Sequence, residues 1–396
     1  MMKVNEMKNF RDKLNLLLFF LPGTLISLFV KREETRIIFT SFLNKNFNSN
    51  SKYLFLWFIK NIKNYSCYFV INDNKLRNEL NRTIGNFFIE TNTIKGKIFA
   101  LGAAIWFRSS AAIPVGGFFL KYKRCIIHLG HGTPLKNLGL QEKNMSFLKR
   151  IYYSLNKTNI SYTIASSFYF RPIISKSFGL PPEKVLISGQ PRNDQLFVEF
   201  DIDMDQFNKQ KGMKNILYAP TWRFSTGVEL FPFDDFSSQE LTDFLCEYNI
   251  NIFLRTHPGF EDDIDMELLK IPNVYLFSGK VYTEIMDYLN RFDLLITDYS
   301  SIYFDYLLLD RPMIFLPYDY DMYKRDPGFT IPYNEFTPGY KPVKMKDFIN
   351  SIILSLNEDT YHDERNRINK VCNTFQKENC KELVKLLYDK NILKKQ

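Results

Sequence analysis

Short runs of β-branched and aromatic residues, separated by helix-like stretches, constrain the fold of this chain more than any other feature. In the first half the runs stand at Ile37 to Phe39, Tyr68 to Ile71, Phe87 to Ile89, Cys125 to Ile127, Tyr162 to Ala165 and Val185 to Ser188, with helical patterns such as Lys52 to Ile62 and Ser166 to Phe178 between them. Strands that alternate with helices predict a mostly parallel sheet covered on both faces. From Glu199 to Lys214 the pattern dissolves into the polar stretch EFDIDMDQFNKQKGMK, which reads as a linker. A second series follows, with strands at Ile216 to Ala219, Ile252 to Arg255, Val274 to Phe277, Leu294 to Thr297 and Met313 to Leu316, and helical patterns at Ser238 to Tyr248, Tyr282 to Arg291 and Ile302 to Leu309.

The expected class is therefore α/β, with two Rossmann-like halves leaving a cleft. The boundaries read as an N-terminal segment 1–32, a first domain 33–200, a linker 201–214 and a second domain 215–396. Ligands of open α/β sheets sit beyond the carboxyl ends of the strands, so the residues that follow each strand are where chemistry is sought.

With 396 residues, 45% of them hydrophobic, the chain can fill two cores. Its formal charge of +9 suits an anionic nucleotide, an anionic lipid surface or nucleic acid equally. The lysines and arginines are dispersed and no nucleic-acid-binding signature accompanies them, which argues against nucleic acid. Five scattered cysteines without a C-x-x-C pair indicate neither a disulfide framework nor a zinc site, and fit a reducing compartment. Near the N-terminus, Leu14 to Val30 is apolar but short for a span, is broken by Pro22-Gly23 and is flanked by Arg11, Lys13, Lys31 and Arg32. The expectation is a membrane-interface helix, with a buried domain helix and a true span or signal as alternatives.

Two of the four histidines directly follow predicted strands or their turns. His131 opens HGTPLKNLG, where Gly132 lets backbone approach a ligand and Thr133 and Lys136 supply a hydroxyl and a cation. A histidine there can take a proton from an attacking hydroxyl near neutral pH, or can simply brace a Gly-rich turn. In RTHP, Arg255 and His257 emerge together at a strand end, as donors for a phosphate leaving group or as parts of a structural turn. In LITDYSS, Thr297, Asp298, Ser300 and Ser301 stand where a strand runs into a helix, a place for a phosphate or for simple capping. The turns APTWR and GQPRND offer Thr221 and Arg223, and Arg192 and Asp194. Either arginine could clamp a phosphate or pair with an acid to hold the domains together. No G-x-S-x-G, P-loop, H-E-x-x-H or G-x-G-x-x-G pattern occurs, which demotes hydrolase, P-loop kinase, zincin and dinucleotide oxidoreductase.

Taken in order, HGTPLKNLG, GQPRND, YAPTWR, RTHP and LLITDYSSIYFDYLLLDRPMIFLPYD, followed by the Phe336-Thr-Pro-Gly339 turn, resemble the CDP-glycerol:poly(glycerophosphate) glycerophosphotransferase family of teichoic acid and capsule synthesis. The resemblance implies a GT-B architecture, with the acceptor on the N-terminal domain and a CDP-alcohol on the C-terminal one. It implies His131 as general base and His257 on the donor pyrophosphate or the departing CMP. Ser300 and Ser301 would hold phosphate oxygens, with Asp305 in the same motif. The partners it implies are CDP-glycerol or another CDP-polyol and a lipid-linked glycopolymer acceptor, at the cytoplasmic face of a membrane with an anionic surface. No cofactor is expected, apart from a Mg²⁺ that could travel on the donor. Two departures stand out. Family members usually carry Trp before the motif histidine, where this chain has Gly130, and the chain's length resembles the compact members, which include primases. The nearest rival reading is a glycosyltransferase of the same fold using a nucleotide sugar, and a rival of another class is a catalytically silent membrane scaffold.

Overall fold

A computed structural model describes residues 22–198, 212–221, 223 and 227–394. Most of the expected linker and the first part of the Leu14 to Val30 segment lie outside the described residues. The chain forms two compact units. The first comprises Met1–His131, Gly139–Arg192 and Glu378–Gln396, and the second Gly132–Leu138 and Asn193–Lys377.

Both units are α/β with parallel sheets. In the first, seven strands run in the order β3-β2-β1-β4-β5-β6-β7: β1 Glu33–Thr40, β2 Ser66–Val70, β3 Phe88–Ile89, β4 Ala103–Arg108, β5 Cys125–His128, β6 Tyr162–Ala165 and β7 Val185–Ile187. In the second, five run in the order β10-β9-β8-β11-β12: β8 Lys214–Tyr218, β9 Ile250–Leu254, β10 Val274–Leu276, β11 Leu294–Thr297 and β12 Met313–Phe315. Every pairing is parallel. Strand order reverses at β1/β4 in one sheet and at β8/β11 in the other, and such reversals open the crevice where α/β sheets hold ligands.

The apolar runs became strands because both faces of each sheet are covered. Ile37, Phe39, Phe69, Phe107 and Ile127 pack one face of the first sheet against the helix Ser49–Asn61 and the C-terminal helix Asn379–Asp389, whose Leu383, Val384 and Leu387 are buried there. Strand β4 was not anticipated. Its sequence AAIWFR is buried at every position, begins with two alanines and follows the apolar helix Ile94–Leu101 after a single glycine, so no change of period marks its start. The helix expected over Tyr282 to Arg291 is replaced by two short turns, Ile285–Asp287 and Leu289–Arg291, separated by Tyr288 at φ −128°. Tyr282 stacks on Phe277 at 4.3 Å and Tyr288 meets the same ring edge-on at 5.5 Å, so ring packing outweighs helical spacing. The helix expected from Ser166 begins at Arg171, where Pro172 is at home in the first turn.

Residues 22–29 form a helix on the first unit. Ser27 is buried and accepts a hydrogen bond from Arg124, while the Thr24 hydroxyl accepts from the Phe118 amide at 2.8 Å. Leu25, Leu28 and Phe29 are exposed, Phe29 by 88%. No helix among the described residues is long and apolar enough to cross a membrane.

Candidate active site

In the first unit, His131 stands three residues past β5 and is exposed. Its Nδ1 lies 3.3 Å from the Ser109 carbonyl, just past β4. A carbonyl can only accept, so Nδ1 carries the hydrogen and Nε2 is the basic nitrogen of the neutral ring. Ser109 is itself fixed: its hydroxyl accepts from the Ser51 amide at 2.8 Å and lies 2.7 Å from the Ser51 hydroxyl.

The loop carrying the histidine is held from below by Asn50, which is fully buried. Its amide donates to the carbonyls of Leu129 and Gly130, both at 3.0 Å, and to the Gln190 side chain at 3.2 Å. Its Oδ1 accepts the Arg192 amide at 3.0 Å. One side chain thus ties the HLGHG and GQPR turns together, a role nothing in the spacing of Asn50 announced. Gly130 sits at φ +63°, a backbone region where a bulky side chain is strained, so the departure from Trp at this position goes with the local conformation. Arg192 is half-buried and Gly189 approaches Asn379 so closely that a Cβ would collide with it.

His128 lies at the end of β5, buried against Phe178, with the Thr163 hydroxyl 3.4 Å from its Nδ1. Burial, reinforced by Arg108 and His131, holds its pKa well below the ordinary value. The folded state keeps this ring neutral while the unfolded chain takes up a proton below about pH 6.5. Stability from this group is therefore whole above that pH and falls as pH drops, by at most about 1.4 kcal/mol per unit. His128→Phe is expected to flatten the decline of melting temperature between pH 7.5 and 5; an unchanged slope refutes the assignment.

In the second unit, the candidate side chains follow the ends of β8, β9 and β11. Arg223 is almost fully buried between two carboxylates. It donates to Asp319 through Nε at 3.0 Å and Nη2 at 2.8 Å, and through Nη1 to Asp298 at 2.5 Å. Asp298 also accepts the Thr221 amide at 2.7 Å. Burial pushes the Asp298 carboxyl up, opposed by Arg223, whereas at half-buried Asp319 the hydrogen bonds from Arg223 overcome burial and bring the pKa down. Arg223 is thus engaged by acids of its own unit rather than by a link between domains. Thr297 is buried and donates to the Ala219 carbonyl at 2.7 Å, and Asp305 is buried in the helix Ile302–Tyr306. Of the three read as substrate-binding, Thr297 and Asp298 bond the backbone of Ala219 and Thr221, and Asp305 is buried in its helix.

Ser300 and Ser301 remain partly exposed after β11. Ser301 precedes the helix without capping it by its side chain, and the Ser300 hydroxyl accepts the Ile302 amide at 3.4 Å. At the end of β9, burial lowers the Arg255 pKa to about 10, against the opposing pull of Glu261. Its guanidinium lies 5.3 Å over the Phe277 ring. His257 is exposed, and its Nδ1 accepts the Gly259 amide at 3.1 Å, which makes Nε2 a donor in the neutral ring. The hydroxyls of Thr221 and Thr256 are buried without a hydrogen-bond partner.

Gly132 to Leu138 belong to this second unit. Thr133 is buried and Lys136 exposed, and the segment is held by backbone: Lys136 bridges Phe329, the Asn137 amide donates to Gly328 and the Thr330 amide to Leu135. Asp194 is half-buried in the second unit, while Arg192 belongs to the first. Among the described residues no group of three or more His, Cys, Asp or Glu is placed to hold a metal ion.

The family model of CDP-glycerol:poly(glycerophosphate) glycerophosphotransferase matches residues 24–388. The chain is 29% identical over 271 residues to a teichoic acid glycerol-phosphate primase of Bacillus subtilis, covering 65% of this chain and 69% of that one. It is 28% identical to the same organism's teichoic acid poly(glycerol phosphate) polymerase, over 78% of this chain and 42% of the relative. A ribitol-phosphate polymerase of Staphylococcus aureus, TarK, is 28% identical over 54% of this chain. Against the ribitol-phosphate polymerases the chain spans between 34% and 42% of the relatives' length. Among solved structures, the wall teichoic acid polymerase TagF superposes with a TM-score of 0.74 at 23% identity, covering 98% of both chains. A UDP-GlcNAc 2-epimerase from Neisseria meningitidis superposes at 0.56 with 13% identity, over 90% of this chain and 100% of that one.

Proposed function

The chain belongs to the CDP-glycerol:poly(glycerophosphate) glycerophosphotransferase family, and from that premise we propose that it moves glycerol phosphate, or a related polyol phosphate, from a CDP-activated donor to a hydroxyl of a membrane-linked teichoic-acid-like or capsular polymer, releasing CMP. The observation that carries the reading is His131, with Nδ1 tied to the Ser109 carbonyl and Nε2 left as the base. Nε2 takes the proton of the acceptor hydroxyl as its oxygen attacks the phosphorus bearing the polyol. The phosphorus–oxygen bond to CMP breaks and CMP leaves with the electron pair. Arg255, the Nε2–H of His257 and the hydroxyls of Ser300 and Ser301 meet the charge that develops on the phosphates. Gly132, Thr133, Lys136, Thr221 and Arg192 border the substrates in this reading. The likeness to TagF over both chains supports a GT-B type arrangement, in which the second unit takes the donor and the first the acceptor.

The test is CMP release from CDP-glycerol and CDP-ribitol, set beside UDP and GDP release from nucleotide sugars, with and without EDTA. Release from nucleotide sugars alone selects the glycosyltransferase reading, and a protein that binds no CDP-polyol is a scaffold. His257→Ala is expected to weaken donor binding and rate together, and Ser300→Ala with Ser301→Ala to weaken CMP and CDP-glycerol binding by a few kcal/mol, at about 1 kcal/mol per neutral hydrogen bond and more to a charged oxygen. Calorimetry with unchanged affinity in both variants removes these residues from the donor site.

The reading also places the protein peripherally at the cytoplasmic face. Leu25, Leu28 and Phe29 are exposed on a helix whose other side is bonded to Phe118 and Arg124. Removal of all of residues 1–30 would strand buried Arg124, so truncation should stop at residue 21. In that truncated chain, replacing Leu25, Leu28 and Phe29 with serine is expected to lower affinity for anionic vesicles by roughly tenfold or more, because each apolar side chain buried is worth about 1.5–3 kcal/mol. Equal vesicle flotation of the two chains overturns the anchoring.

A further inference from the structure

Of the consecutive acids Glu261, Asp262 and Asp263, the last two are exposed and the first is buried, 7% exposed. Burying a carboxylate is costly unless hydrogen bonds answer it, and here both oxygens are answered. Oε1 accepts the Gly279 amide at 2.5 Å and Oε2 accepts from the Ser278 hydroxyl at 2.7 Å. Ser278 and Gly279 form the turn that leaves β10. The Ser278 carbonyl accepts the amides of Val281 and Tyr282, and its hydroxyl oxygen accepts the Lys280 amide at 3.1 Å. Glu261 itself lies in the short helix Pro258–Asp263 that follows β9. One side chain therefore fastens the turn after β10 to the turn after β9.

Arg255 and His257 rest on those two turns. His257 opens the helix that carries Glu261, with its Nδ1 on the Gly259 amide, so the seat of that helix sets where the ring stands. Arg255 meets the other turn: its Nη1 lies 3.5 Å from the carbonyl of Phe277, the residue before Ser278, and its guanidinium lies over the Phe277 ring. The Glu261 charge is also the largest of those that oppose the effect of burial at Arg255. A second link between the turns, Lys280 with Asp262 at 3.0 Å, is exposed on both sides, and such pairs contribute little.

We propose that Glu261 is a positioning residue of the donor site, seating Arg255 and His257 against the donor's phosphates by locking the turns after β9 and β10 together. This rests on the assignment of those two residues to the phosphates and adds the group that holds them. The effect of Glu261 falls on the phosphate end of the donor, which sets it apart from a residue that only supports the fold.

The probes are CMP and cytidine, which differ by the phosphate alone, titrated calorimetrically into the full chain, with cytidine read from its competition with CMP. Glu261→Ala is expected to weaken CMP about tenfold while cytidine affinity stays as it is, because it frees both turns and misplaces the groups that meet the phosphate. Glu261→Gln keeps an acceptor for the Gly279 amide and a donor for the Ser278 oxygen. It should bind CMP at least as tightly as the wild type, since no carboxylate then competes with the phosphate. Ser278→Ala removes one of the two bonds and should weaken CMP about threefold, which gives a reading where Glu261→Ala does not fold. Lys280→Ala, on the exposed pair, should stay within about twofold. Equal losses for CMP and cytidine, a glutamine variant as weak as the alanine one, or wild-type CMP affinity in both Glu261→Ala and Ser278→Ala overturns the proposal. Arg255→Ala separates it from the donor reading. If that change leaves the CMP-to-cytidine ratio intact, the phosphate assignment of Arg255 fails and the proposal with it. If it lowers the ratio and Glu261→Ala does not, only the positioning role fails.

Discussion

His131→Ala is expected to lower turnover by about 10²–10⁴-fold while leaving CDP-glycerol affinity nearly unchanged. A general base does its work in the transition state, so its loss falls on kcat rather than on ground-state donor binding. The geometry sharpens the expectation. Because Nδ1 is tied to the Ser109 carbonyl, the base is Nε2, and activity should follow the deprotonated ring on the acid side of the pH profile. His131→Gln preserves a donor toward Ser109 but offers no basic nitrogen, and should be as inactive as the alanine variant. A glutamine variant with wild-type kcat makes the histidine a brace for a Gly-rich turn. Loss of activity matched by loss of folding, read by melting temperature, would count the same way.

Arg223→Met is expected to cost about 3–5 kcal/mol of stability, because it leaves two acids facing each other at the end of a sheet without their shared cation. Asp298 is 1% exposed and Asp319 is held by two of the three guanidinium nitrogens. The melting temperature should fall by roughly 10 °C or more. The loss has a pH signature. Without the arginine, burial raises the Asp298 pKa above its unfolded value of about 3.9, so the folded state binds more protons and the deficit shrinks as pH falls toward 5. Arg223→Lys should recover little, since an ammonium cannot serve both carboxylates in the planar, forked manner of a guanidinium. Donor affinity is expected to drop in both variants, because Asp298 also holds the Thr221 amide. A methionine variant with wild-type melting temperature would show that the network carries no stability. A variant with full stability and normal donor binding would separate it from the site.

The unbroken apolar runs, the glycines and the order of the motifs were legible because each is local. A strand buried on both faces must be apolar along its length, and Ile37 to Phe39 or Leu294 to Thr297 state this without help from the rest of the chain. His131 and His257 could be picked out because histidines are few here and both follow strands. Where local signals conflicted, the reading missed. The alanines of β4 gave no sign of a strand at the centre of a sheet, and the spacing of Tyr282 to Arg291 fitted a helix that ring packing on Phe277 refused.

What the sequence determined by itself is the α/β class, the parallel strands and the set of turns from which chemistry comes, since these follow from periodicity and from the backbone demands of glycine and proline. What only the tertiary structure decided is partnership. Asn50 binds two turns from 79 to 142 residues away, Arg223 pairs with Asp298 and Asp319, and the C-terminal helix returns to the first sheet. Those pairings depend on which side chains the folded sheets bring within about 3 Å of one another, and a hydrogen bond's reach is far shorter than the sequence distances it spans.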